Sequence, residues 1–209
     1  MSKVGLNSDI KVAKKRLHLQ TSRLDANTLS LELFEGGELT NRQFKAVDDG
    51  ISESGLQEIH NEIKDLIEFL FKIKGDVRQR KNVTGLFHLG RMFMDVGIYE
   101  QAIETFQYAL RLDQQADVNF DLGKAYWHIE QFQNALDHLE KSPQSYADVH
   151  FYKALSYWKM KEFSNALDAL KKAIGINEKY AEAYFYYGYI LVDSCVQKPA
   201  IPELPSPIE

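Results

Sequence analysis

Leu89-Gly90-Arg91-Met92-Phe93, followed by Gly97-Ile98-Tyr99-Glu100-Gln101-Ala102, decides the fold, because the chain repeats it. Leu122-Gly123-Lys124-Ala125-Tyr126 leads to Gln131-Phe132-Gln133-Asn134-Ala135. Lys153-Ala154-Leu155-Ser156-Tyr157 leads to Glu162-Phe163-Ser164-Asn165-Ala166. A fourth small residue, Gly188, stands among tyrosines. The small residues lie 33, 31 and 34 positions apart, and each of the first three is followed twelve on by an alanine. Sixteen on come Phe106, Leu139 and Leu170. Self-similarity near 34 residues signals a helical solenoid, in which no unit buries its apolar face alone. The pattern fits two amphipathic helices joined by a short turn. The small residue and the alanine let the two approach closely, and the aromatics fill the space between neighbouring pairs.

The 31-residue interval takes its missing positions from the second helix of the middle repeat. That helix is expected to stop near Glu140, because Ser142-Pro143 does not continue it. The fourth unit reads as a first helix alone, over residues 181–194. After it come Pro199, Pro202, Pro205 and Pro207, four of the chain's five prolines, so a helix-free tail is expected. Tyr184, Phe185, Tyr186, Tyr187, Tyr189, Ile190 and Leu191 make this last helix apolar all round, which is the signature of burial. Its cover is open on sequence alone: the tail, another subunit, a ligand, or only water on the tyrosine hydroxyls.

These segments resemble the tetratricopeptide repeat (TPR) family over about residues 82–194. The resemblance implies a TPR-type α-solenoid, and it implies that the first helix of each pair lines a concave face. Residues three before, one after and four after each small residue then face the groove, since such positions share one side of a helix. The expected peptide-binding groove is Phe87, Arg91, Met94, Phe120, Lys124, Trp127, Phe151, Leu155, Trp158, Phe185 and Tyr189, with Val192 after them. Part of that aromatic ladder belongs to the scaffold; the rest suits an apolar peptide, with Arg91 and Lys124 placed for a carboxylate. Asp117, Asp148 and Glu182 form an acidic margin. Family members that clamp acidic chaperone tails use basic and amide side chains. The matching positions here are Phe87, Arg91, Asp121, Asp148 and Tyr152, so no such clamp is expected.

The first 80 residues hold none of the eleven tyrosines and neither tryptophan. Lys15–Thr21 and Thr28–Phe34 alternate apolar and polar residues, as strands with one buried face do. Glu35-Gly36-Gly37-Glu38 is a tight hairpin turn, and Leu39–Val47 returns less convincingly as a third strand. Ser54–Lys74 has helical spacing, with Ser54 and Gln57 as a capping pair. The organisation expected is a disordered 1–14, a small antiparallel sheet with one helix over 15–80, the solenoid over 81–195 and a proline-rich tail over 196–209. The fold class is therefore mainly α, preceded by a small α+β unit. Lys15-Arg16-Leu17-His18-Leu19-Gln20-Thr21 with the later Phe34-Glu35-Gly36-Gly37 resembles a segment ahead of TPRs in uncharacterised bacterial proteins, and brings no activity with it.

Net charge is −5 in 209 residues, unlike the basic excess of nucleic-acid binders. The lone Cys195 excludes a disulfide within the chain and a cysteine-based zinc site. Residues 1–16 lack the apolar core of a secretory signal, and no stretch has the length to span a bilayer. Phosphate-loop and metalloprotease motifs are missing from the sequence. His128, Asp137 and His138 read as surface helix residues rather than metal ligands. The expectation is a cytoplasmic, bacterial, non-enzymatic adaptor with no cofactor, no metal and no catalytic residue, binding a protein or peptide. Alternatives are a TPR-type secretion chaperone for a hydrophobic client, or a homo-oligomer assembled through the C-terminal helix or tail.

Overall fold

A computed structural model describes residues 5–12, 15–47, 51–114 and 117–196. It divides into two compact units, Met1–Val118 and Asn119–Glu209. The first opens with strands β1 (Gly5–Val12), β2 (Lys15–Arg23), β3 (Thr28–Glu35) and β4 (Glu38–Ala46), paired antiparallel in sequence order. Ile10, Val12, Leu17, Leu19, Leu29, Leu31 and Leu33 form the buried face, as period-two alternation dictates. Gly36 and Gly37 both take positive φ, 62° and 91°, in the two-residue turn joining β3 to β4.

Over residues 5–12, strand β1 stands where disorder was expected; residues 1–4 and 13–14 lie outside the described residues. Its inward positions read Leu6, Ser8, Ile10 and Val12, so a serine interrupts the apolar alternation that marks a strand. The serine has a partner. Helix α1 (Glu53–Gln79) lies against the sheet and sends in the buried His60, whose Nε2 is 2.8 Å from Ser8 Oγ and Nδ1 2.9 Å from Thr21 Oγ1. Burial holds that imidazole below its ordinary range. The cap of α1 also differs from expectation. Ser52, not Ser54, accepts from the Gly55 amide at 3.1 Å, and Ser54 bonds to Ser52 instead.

Helices α2 (Val83–Asp95) and α3 (Tyr99–Leu112) complete the first unit. The boundary expected near residue 80 is not where the units part, because α1 packs on this hairpin. Phe71 meets Phe93 edge-on at 5.4 Å. Lys74 Nζ reaches Gln101 and Glu104, each at 2.6 Å, and Arg78 reaches Glu104 at 2.6 Å. Burial raises the Glu104 carboxyl, but its hydrogen bonds and charge pairing with Lys74 and Arg78 outweigh that and hold it below the usual range. Helix α1 thus takes the place that a preceding repeat's second helix would fill.

The second unit holds α4 (Asn119–His128), α5 (Phe132–Leu139), α6 (Ala147–Lys159), α7 (Phe163–Ile176) and α8 (Ala181–Val196). In each complete hairpin the turn falls seven positions after the small residue. Gly97, Glu130 and Lys161 take φ of 75°, 59° and 64° there. The following amide closes the turn onto Phe93, Tyr126 or Tyr157. The predicted close approach is real: a Cβ on Gly90 would lie 2.3 Å from Phe106, and one on Gly123 2.6 Å from Leu139. Helix α5 has only eight residues where α3 and α7 have fourteen. Gln144 caps it, donating to the Leu139 and Ser142 carbonyls at 2.9 and 2.7 Å, while His150 Nε2 lies 2.9 Å from the Gln144 carbonyl oxygen.

Candidate functional site

The expected groove residues are shared between the units: Phe87, Arg91 and Met94 in the first, the other eight in the second. On α2, Phe87 and Met94 are half-buried and Arg91 is exposed. The Arg91 guanidinium sits 4.5 Å from the Phe87 ring centre, a cation–π contact open to solvent. Phe87 also tilts against the buried Phe106 at 6.4 Å, so it takes part in the packing of the hairpin as well.

In the second unit a continuous chain of rings crosses α4, α6 and α8. Tyr152 packs edge-on against Phe120 at 6.0 Å and against Trp127 at 5.8 Å. One repeat later Tyr186 packs against Phe151 at 5.6 Å and Trp158 at 5.9 Å. The rule is the same in both cases. A tyrosine two before the small residue fits between the phenylalanine and tryptophan of the preceding first helix. Sequence reasoning missed these two tyrosines because it took only the positions three before, one after and four after. The signal was available in their shared offset.

This clasp divides the expected lining. Phe151 and Leu155 are buried, 8% and 4% exposed, and belong to the core of the unit rather than to its surface. Phe120, Lys124, Trp127 and Trp158 are half-buried. Helix α8 has no successor among the described residues to supply the next tyrosine, so Phe185 and Val192 stand 65% exposed and Tyr189 50%. The bare apolar surface is therefore concentrated on α8.

Polar groups punctuate the rings. Lys124 Nζ lies 5.4 Å from the Phe120 ring centre and 5.5 Å from that of Tyr152. Trp158 Nε1 donates to Asp193 Oδ2 at 2.7 Å, tying α6 to α8. The Trp127 indole N–H is buried and has no acceptor among the described residues. The Tyr180 hydroxyl donates to Asp148 at 2.6 Å, and burial together with that carboxylate drives its ionisation far above the ordinary range. Asp148, expected in the acidic margin, is thus already engaged. His138 stacks on Tyr126 at 5.4 Å, with Nδ1 3.0 Å from Asn119 Oδ1, so it serves packing. Among the described residues no cluster of three metal-ligating side chains occurs, and no helix is long and apolar enough to cross a membrane.

Comparison with known proteins agrees with this architecture. No curated protein sequence matches the chain. Solved structures do. MamA from Desulfovibrio magneticus RS-1 is 18% identical, with 68% of this chain and 83% of that one aligned at a TM-score of 0.58. A further MamA structure is 26% identical over 70% of this chain and 86% of its own, at 0.56. The first TPR of Spaghetti (RPAP3), bound to the HSP90 peptide SRMEEVD, is 15% identical over 54% of this chain and 93% of its own, at 0.52. The family described as tetratricopeptide repeat matches residues 87–149 and again 147–180. Residues 87–180, from α2 through α7, thus match tetratricopeptide repeats.

Proposed function

We propose that this protein is a non-enzymatic interaction scaffold that holds a polypeptide guest on the aromatic face of α4, α6 and α8. The observation that carries the reading is the contrast between equivalent positions on α6 and α8, Phe151 at 8% exposed and Phe185 at 65%. Large rings left bare beside half-buried ones form an anchor surface, and such rings dominate binding energy where they meet a complementary chain. Lys124, held over two rings, gives the surface one cation for a guest carboxylate. The guest is an apolar segment with two or more large side chains and an acidic residue. A related repeat domain carries a bound heat-shock peptide, which supports repeats of this fold as peptide holders.

The test is selection of a random peptide library on the full chain. Enriched sequences should pair large apolar residues with an acidic one, and Lys124→Glu should remove the acidic preference. Phe185→Ser with Tyr189→Ser should weaken the selected peptides at least tenfold while the circular dichroism spectrum is unchanged. A library that yields no enriched motif, or one indifferent to these changes, refutes the reading. A second reading, self-association, is favoured by the same bare Phe185, Tyr189 and Val192. It requires a particle mass that rises with concentration and falls back on Phe185→Ser.

A further inference from the structure

Tyr108, on α3, carries two arginines. The Arg78 guanidinium lies 4.6 Å from the centre of its ring and that of Arg111 lies 5.5 Å from it. The tyrosine hydroxyl is 3.4 Å from the Arg78 carbonyl oxygen, so the ring joins the end of α1 to the end of α3. A guanidinium stacked on a ring is held in place while its N–H edge stays available. Two further cations follow at once. Arg80 is the cap residue of α1, and Lys81 turns the chain toward α2 with a φ of 52°. Both are exposed, as is Arg111. Four cations thus gather at one corner of the first unit.

Helix ends and ion pairs account for only part of this corner. Arg78 and Arg111 stand in the last turns of α1 and α3, where a cation offsets the negative helix end. Arg80 and Lys81 add two more at an end that Arg78 already serves. Both oxygens of Glu104 are taken, one by Arg78 and the other by Lys74, each at 2.6 Å. Asp76 and Asp113 share these helix ends, yet Arg80, Lys81 and Arg111 have no carboxylate within ion-pair distance among the described residues. This local excess of positive charge stands in a chain with 30 acidic and 25 basic side chains. It fits a short run of carboxylates. An arginine fork takes both oxygens of a carboxylate, and opposite charge selects the partner and speeds encounter. Nucleic acid fits less well. The Tyr108 ring that would stack a base already bears arginines, and a long polyanion would meet the overall negative charge of the chain.

We propose that the corner formed by Arg78, Arg80, Lys81 and Arg111 docks an acidic segment of a partner polypeptide. It is built by α1 and α3, apart from the aromatic face of α4, α6 and α8, and does not rest on the guest proposed there. Fluorescence polarisation of a labelled hexaglutamate peptide on the full chain tests it. Binding should weaken as salt is raised, because exposed charges are screened. Arg80→Glu with Arg111→Glu should weaken it at least tenfold while the circular dichroism spectrum is unchanged. Lys172→Glu with Lys179→Glu alters net charge equally at exposed positions of the second unit and should leave binding within about twofold. Phe185→Ser should leave it unchanged, which separates this site from the guest surface. Failure of the parent chain to bind hexaglutamate overturns the proposal. So does an equal loss in the two double variants, which is a response to overall charge. Tighter binding of hexathymidylate than of hexaglutamate also overturns it, because the corner then serves a nucleic acid.

Discussion

The close approach at Gly90 makes a sharp prediction when set beside Gly75. Both glycines lie within helices of the first unit, and alanine in place of either brings the same helix-propensity gain, about 1 kcal/mol. Gly75, on α1, has nothing within 4 Å of a built Cβ, so Gly75→Ala keeps the whole gain. At Gly90 the new methyl would lie 2.3 Å from Cε1 of Phe106, a ring with no exposed surface and with Phe87 beside it. Ordinary contact begins near ~3.5 Å, so the ring must shift by about 1 Å in a packed interior. Overpacking of this kind costs about 1–3 kcal/mol, which leaves Gly90→Ala destabilised by about 1 kcal/mol. The two variants should therefore move the urea midpoint, followed by circular dichroism, in opposite directions. The third repeat supplies the rescue, since it pairs Ala154 with Leu170. Phe106→Leu alone leaves a cavity and costs about 1–2 kcal/mol. Combined with Gly90→Ala it should cost at least ~1 kcal/mol less than the sum of the single changes. If Gly90→Ala stabilises as Gly75→Ala does, or if the double change is additive, the small residue is not there to admit the second helix.

Three further outcomes follow from the polar contacts. His60 is held below its ordinary 6.5 by burial, so the unfolded chain binds more protons around pH 6. Its contribution is complete above about 6.5 and is lost as the pH falls below that. His60→Gln should flatten the fall in urea midpoint between about pH 7 and 5.5. His128, His138 and His150 are shifted the same way and will keep part of the slope. Glu104→Ala leaves the largely buried Lys74 without its carboxylate, and after discounting for the exposure of Glu104 should cost about 1 kcal/mol by urea unfolding. Gln144→Ala removes the side-chain cap of α5 and should also cost about 1 kcal/mol, with faster hydrogen exchange confined to residues 138–150.

The repeats were legible because they follow one physical rule. Small residues and rings recur where helices cross, and Gly90 under Phe106 or Gly123 under Leu139 realise it in space. The short α5 was legible for the same reason, from Ser142-Pro143. Strand β1 was not, because its pattern is completed by a histidine 52 positions away from Ser8. The length of α1 was obscured because its apolar spacing gives way to Gly75 and a run of charges after Lys74; Lys74 and Arg78 prove to be ties to Glu104. The candidate surface was half legible. Offsets within one helix located Trp127, Trp158 and Phe185. Which rings stay bare depends on the next helix, and single-helix periodicity carries no information about what Tyr152 and Tyr186 cover.

The packing of α1 on the α2–α3 hairpin bears on how the molecule can be dissected. The charged run before Asn82 invites a cut there to isolate the repeats. A fragment starting at that point would lose the Phe71 ring from Phe93 and both cations from Glu104, laying open a flank never built to meet water. Such a piece should clump on purification, and its insolubility would say nothing about the intact chain. The workable scissor point lies further along, at 118, where the first hairpin keeps the sheet and helix that shelter it.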